Sequence, residues 1–127
     1  MNLALTCIGL LGLLVVGLGF GVSMVRTSTK RNIGYDNDPT DQLYKWVRAH
    51  ANACEFAPML AILILALAYT DHTDWGGILF PAAVVVRYLH AAGMILSPTL
   101  DKAQPLRFIG ATGTYLVGIA LSLVAIF

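Results

Sequence analysis

Arg48, Asn52 and Glu55 carry the first recognisable chemistry in this chain. They stand at i, i+4 and i+7, so a helix of about 3.6 residues per turn stacks them into one polar stripe. A cation, an amide and a carboxylate in a column can bind a charged ligand, tie two helices together or line an ion path. Arg87 and His90 sit one helical turn apart further on, Arg107 follows in Pro105-x-Arg107, and Arg26 ends a long apolar run. All lie in or beside sequence made for lipid. An ionisable side chain at the bilayer centre costs roughly 2.5–3.5 kcal/mol, so it normally faces a partner helix or a wet cavity. The stripe is therefore expected to look inward.

Composition fixes the setting for these residues. Of the 127 residues, 57% are hydrophobic and only 12% charged, with a mean hydropathy of +0.74. Soluble chains carry about 25% charged residues, so this is an all-α integral membrane protein. A spanning helix needs about 20 apolar residues, which gives room for about four spans in a single membrane domain covering 1–127. A net charge of +1 with no clustered basic face leaves no footprint for nucleic acid. Cys7 and Cys54 both lie in apolar helical sequence, and their spacing suggests neither a disulfide framework nor a metal site.

Four stretches position the polar residues. Residues 2–25 form span one; no Lys or Arg precedes it, so a retained helix is expected rather than a cleaved signal. Within it Gly17-x-x-x-Gly21 has the spacing of close helix contacts, although scattered lipid-facing glycines would look the same. Residues 26–45 are a polar loop, where Asp38 before Pro39 reads as a helix N-cap with Asp41 in the first turn. Span two covers 46–69 and contains Pro58, where a kink is expected. Thr70 to Trp75 reads as a short acidic turn, span three as 76–96, the loop as 97–105 and span four as 106–127. Gly110, Thr114 and Gly118 repeat every four residues as a second candidate packing face.

Orientation follows from Lys and Arg. Arg26, Lys30, Arg31, Lys45 and Arg48 fall in or beside the first loop, and Lys102 and Arg107 beside the third, so both loops are expected on the cytoplasmic side. At ~1.5 Å per residue, Glu55 and His90 lie roughly 21 Å, and Arg87 roughly 16 Å, from the opposite end of their helices. These three can meet at one level in the cytoplasmic half. Each also has a plainer reading: Arg48 as a snorkelling anchor, Glu55 with Arg87 as a structural ion pair, and His90 as a packing residue. Four thin helices cannot shield all these groups, so some are expected at contacts between subunits.

Arg48-Ala-x-x-Asn52-x-x-Glu55-x-x-Pro58 resembles the second-helix signature of the MAPEG family, the membrane-associated proteins of eicosanoid and glutathione metabolism. Arg87-x-x-His90 and Pro105-x-Arg107 resemble the family's other polar sites. The resemblance implies a homotrimer of four-helix subunits that binds glutathione as co-substrate near the cytoplasmic side, with a lipophilic small molecule arriving from membrane lipid. Residue by residue, it implies that Arg48, Asn52 and Glu55 contact glutathione and that Arg107 stabilises its thiolate. His90, Arg87 and Arg26 look like further glutathione-binding positions. A nearby cation suits this chemistry, because a thiol attacks as its thiolate.

Met94 stands where several eicosanoid-forming relatives have tyrosine, and Phe108 where prostaglandin E synthase has serine. Both differences point toward a microbial microsomal-type glutathione transferase, with peroxidase activity on lipid hydroperoxides as a companion activity. Two other functions remain open: a non-catalytic lipid-binding scaffold of the same fold, and a small channel or transporter using the buried charges as an ion path. The basic set at 48, 87 and 107 favours the enzyme, since a scaffold needs no thiolate-stabilising arginine. Short loops favour a bacterial inner membrane over an organellar one.

Overall fold

The structure is a computed structural model that describes residues 2–70 and 75–127. It contains four helices: α1 (Asn2–Thr29), α2 (Gln42–Tyr69), α3 (Gly76–Leu96) and α4 (Pro105–Ile126). All four are long and apolar enough to cross a membrane, and the described residues include no strand. Large apolar side chains such as Val16, Phe20, Ile62, Ile78, Leu116 and Ile119 remain exposed on every helix. A protein surrounded by hydrocarbon has no reason to hide them. The chain is an integral multi-pass membrane protein. The expected acidic turn between the second and third spans falls on 71–74, outside the described residues.

Side-chain caps set where α2 and α4 begin. The Asp41 carboxylate accepts a 2.9 Å hydrogen bond from the Tyr44 backbone N–H and caps α2. This moves the cap from the expected Asp38. Asp38 instead accepts from the Thr40 N–H and hydroxyl, closing a turn that ends at Asp41. Two aspartates three residues apart can both cap, and an ion pair from Arg31 holds Asp41 in the capping position. The Gln104 side chain caps α4 by accepting from the Arg107 N–H, with Pro105 at the first helical position. Helix α2 runs through Pro58 and α3 through Pro81; neither ring can donate the helical hydrogen bond four residues back.

Helix α1 packs on α2 and α3, α4 packs on α2 and α3, and α2 also meets α3. Bare backbone makes the closest approaches. A Cβ on Gly110 would strike the His90 backbone, and one on Gly93 would strike the backbone of Arg107, so α3 and α4 touch along an antiparallel seam. Helix α1 meets α2 through Gly21, which lies under the Trp46 ring, and Gly19, which lies under His50; Gly17 has nothing near it. The small-residue contact on α1 thus involves Gly19 and Gly21 rather than the pair Gly17 and Gly21. The Tyr88 hydroxyl donates to the Leu10 carbonyl at 3.0 Å and ties α3 to α1.

Loops one and three lie together at one end. The Leu100 N–H donates to the Pro39 carbonyl at 3.0 Å, and Lys45 Nζ donates to the Ser97 carbonyl at 3.0 Å. An even number of crossings between these loops requires this arrangement, and it brings the starts of α2 and α4 side by side.

Candidate glutathione site

Helix α2 builds the stripe, and its three residues have different surroundings. Arg48 and Glu55 are exposed, and neither has a hydrogen-bond or ion-pair partner among the described residues. Asn52 lies between them, half-buried, and its Oδ1 accepts a 2.7 Å hydrogen bond from Arg87 Nη2. The stripe therefore looks out of the four-helix chain at both ends and inward only in the middle, which corrects the expectation of an inward face. The physical reason is angular offset: at about 100° per residue, Arg48 and Glu55 lie about 40° and 60° to the same side of Asn52, away from the side that meets Arg87.

Arg87 is 1% exposed, the largest side chain sealed among the described residues. Besides Asn52 it donates to Thr114 Oγ1 at 3.3 Å, and its guanidinium carbon lies 5.3 Å from the centre of the Phe56 ring. The Thr114 hydroxyl in turn donates a hydrogen bond to the Gly110 carbonyl at 2.7 Å. Arg87 thus joins α2, α3 and α4 through neutral groups. It makes no ion pair with Glu55, the partner that depth alone suggested. His90, one turn along α3 and also buried, has no partner for Nδ1. The two residues line a small cavity with Asn52, Phe56, Thr114 and Tyr115.

Thr114 and Phe56 are the residues that sequence reasoning missed at this junction. Thr114 was visible only as part of a small-residue repeat. The signal that could have found it is the need of a buried arginine for acceptors on both neighbouring helices.

The remaining basic residues gather at the loop end. Arg107 is half-buried; its Nη1 donates to the Leu100 carbonyl and its Nη2 to the Lys102 carbonyl, each at 2.9 Å. Arg26 Nη1 donates to the carbonyls of Gly34 and Arg31 at 2.8 and 3.2 Å. Arg31 pairs with Asp36 and Asp41. Its hydrogen bond holds the Asp41 carboxyl below the usual carboxylate range, and that of Asp38 is lowered chiefly by the Thr40 N–H. An apolar cleft of about 310 Å3 runs between α2 and α4, from Phe56 and Thr114 toward Leu63 and Leu123.

Four membrane helices, an exposed cation and carboxylate flanking an amide on α2, and two arginines at one end form a definable pattern. The MAPEG family model matches residues 4–127, nearly the whole chain. The chain belongs to the MAPEG family. No curated protein and no solved structure gives a match. Family membership makes this a membrane protein of eicosanoid and glutathione metabolism, in a family that includes glutathione transferases and related enzymes. In this MAPEG chain, Arg48 and Glu55 are exposed on α2, and Arg26 and Arg107 hold loop carbonyls at one end of the bundle.

Proposed function

We propose that this MAPEG protein is a glutathione transferase acting on lipophilic electrophiles, with glutathione peroxidase activity toward lipid hydroperoxides. The observation that carries the reading is the free pair Arg48 and Glu55 on the open face of α2, with Asn52 between them. Glutathione carries one ammonium and two carboxylates. An unpaired guanidinium suits a carboxylate and an unpaired carboxylate suits the ammonium, both as charge-assisted hydrogen bonds. Arg87 acts on this site from behind, fixing which way the Asn52 amide points, and His90 packs beside it. Arg26 and Arg107 supply positive charge at the same end of the bundle as Arg48.

Arg107 is the residue proposed to face the sulfur. An ordinary thiol has a pKa of about 8.5, so a close cation raises the thiolate fraction at neutral pH. The thiolate then attacks the electrophilic carbon, forming the C–S bond as the leaving group departs or the π bond opens. In the peroxidase direction, two glutathiones are oxidised to the disulfide while a hydroperoxide is reduced to alcohol and water. Because Arg48 and Glu55 face away from their own bundle, a homotrimer in which a neighbouring subunit covers them completes the site. Loops 26–45 and 97–105 then face the cytoplasm, where glutathione is supplied.

The non-catalytic scaffold is the second reading, favoured by one observation: both terminal nitrogens of Arg107 already hold loop carbonyls. Ultraviolet absorbance of the glutathione thiolate separates the two. The enzyme reading expects thiolate absorbance when glutathione is added near neutral pH, lost in Arg107→Ala together with conjugation of a model electrophile. Glutathione binding with no thiolate signal at any pH below that of the free thiol would favour the scaffold.

A further inference from the structure

The face of α2 turned away from the stripe carries a second group of reactive side chains. Cys54 and His50 stand one turn apart, each about 160° round the helix from Asn52. The Cys54 thiol is exposed, and its Sγ lies 3.4 Å from His50 Nε2. His50 is half-buried and lies over Gly19 of α1. A thiol reacts as its thiolate, so a sulfur touching an imidazole nitrogen is a nucleophile with a proton acceptor in place. Neither residue belongs to the set assigned to glutathione.

An apolar groove of about 260 Å3 lies between α1 and α2, walled by Gly12, Val15 and Val16 on one side and by Ala57, Pro58 and Ala61 on the other. Pro58 is one turn beyond Cys54, and Val15 is one turn before Gly19, so the groove continues from the Cys54–His50 pair away from the loop end. It reaches Ile8, seven residues from Val15, and so runs roughly 10 Å along α1. Val16 and Pro58 are exposed, so it opens on the surface that meets hydrocarbon. Gly12 keeps it clear, since a Cβ there would meet nothing within 4 Å. A nucleophile with its base therefore stands at the head of a slot shaped for an alkyl chain.

We propose that Cys54 is a covalent binding site for membrane-borne α,β-unsaturated carbonyl compounds, whose alkyl tail lies in the groove between α1 and α2. The sulfur bonds to the β-carbon, the π electrons move to the carbonyl oxygen as an enolate, and His50 takes the thiol proton and returns it to the α-carbon. Nothing leaves and nothing is oxidised. The chemistry of the setting selects this class: a substitution would strand a leaving anion and an imidazolium in hydrocarbon, whereas an addition ends with neutral groups. The site does not depend on the glutathione reading.

The test uses the full-length protein in lipid vesicles without glutathione. Methyl vinyl ketone and octyl vinyl ketone share a reactive head and differ in tail, and peptide mass mapping follows each cysteine over time. Cys54 should take up one adduct while the buried Cys7 stays unmodified. Gly12→Leu extends a side chain into the groove and should slow the octyl ketone about tenfold, what roughly two buried methylene groups contribute, while leaving the methyl ketone unchanged. His50→Phe keeps a ring over Gly19 but cannot take a proton, and should slow both ketones by about a hundredfold. Comparing each reagent with itself across variants cancels its partitioning into the bilayer. Cys54 left unmodified in folded protein would overturn the proposal, showing that the thiol only packs beside His50. Equal effects of Gly12→Leu on the two ketones would overturn the groove as the tail's seat, and wild-type rates in His50→Phe would overturn the base. If His50→Phe does not fold, the Gly12→Leu comparison still decides.

Discussion

Arg87 and Asn52 are joined by a 2.7 Å hydrogen bond from α3 to α2, so the amide in the middle of the open stripe is oriented by a cation inside the bundle. A hydrogen bond to a charged group contributes roughly 1.5–3 kcal/mol, and its loss here leaves a buried guanidinium short of an acceptor. Asn52→Ala should therefore lower stability by about that amount and weaken glutathione binding as well. Thr114→Val, removing the longer 3.3 Å contact, should cost less, roughly 0.5–1.5 kcal/mol, and leave glutathione affinity unchanged. Chemical denaturation in detergent micelles combined with calorimetry reads both; equal effects on binding would break the link between Arg87 and the stripe.

The seam between α3 and α4 predicts a sharp contrast between glycines. A methyl group on Gly110 would sit 2.6 Å from the His90 Cα, and backbone cannot step aside as a side chain can. Gly110→Ala should cost at least the ~1–3 kcal/mol typical of overpacking, visible as a lowered melting midpoint. Gly17 has nothing within 4 Å, so Gly17→Ala should be neutral or gain up to about 1 kcal/mol from helix propensity. Similar midpoints for the two variants would mean that the helices pack through other faces.

Loop one should loosen in acid. The Asp41 and Asp38 carboxyls titrate below their unfolded value in the folded chain, so their contribution is complete above the ordinary aspartate pKa of about 3.9. It diminishes as pH falls through that value and is gone below the depressed folded values. The protection factors of the Leu43 and Tyr44 amides, taken against the intrinsic exchange rate at each pH, should fall across this window, and Asp41→Ala should show the low protection at neutral pH with loss of about 1 kcal/mol of capping. Protection factors that stay unchanged down to pH 3 would contradict the assignment of Asp41 as the cap.

Lys30 follows the end of α1 in a left-handed conformation, with φ of 55°. The Arg31 N–H then reaches back to the Arg26 carbonyl at 3.1 Å, closing the helix end in the manner usually reserved for glycine. Lys30→Gly should stabilise the chain by roughly 1 kcal/mol. Gly34 has φ of 68°, so Gly34→Ala should destabilise by a similar amount. Opposite shifts in the melting midpoint are the expected outcome.

The helices were legible because lipid imposes composition: a stretch like Leu3 to Val25 has no other use. The Arg48, Asn52 and Glu55 stripe was legible because the periodicity of 3.6 is fixed by backbone geometry alone. The partner of Arg87 was not. Depth counting places Glu55 and Asn52 within one turn of each other, and which of them faces α3 depends on how α2 rotates in the packed bundle. Helix α2 packs on α1 with Trp46 over Gly21 and His50 over Gly19, and a glycine spacing alone does not say which side chains it will receive. The shift of the cap from Asp38 to Asp41 has the same origin, since it was fixed by Arg31 at the far end of the loop.

The arginines at the loop end serve twice, at different times. In the proposed orientation, with loops one and three in the cytoplasm, Arg26, Arg31, Lys45 and Arg107 are the charges that the positive-inside rule counts. In the folded chain Arg26 and Arg107 clasp carbonyls, Lys45 holds Ser97, and Arg31 is neutralised by two aspartates. On that proposed orientation, the residues that would direct insertion also bind the folded loops together. A glutamine at Arg26 could keep some of the clasp yet weaken the vote for orientation, so the two roles are separable by when they are measured: glycosylation-site mapping reports the first and melting the second.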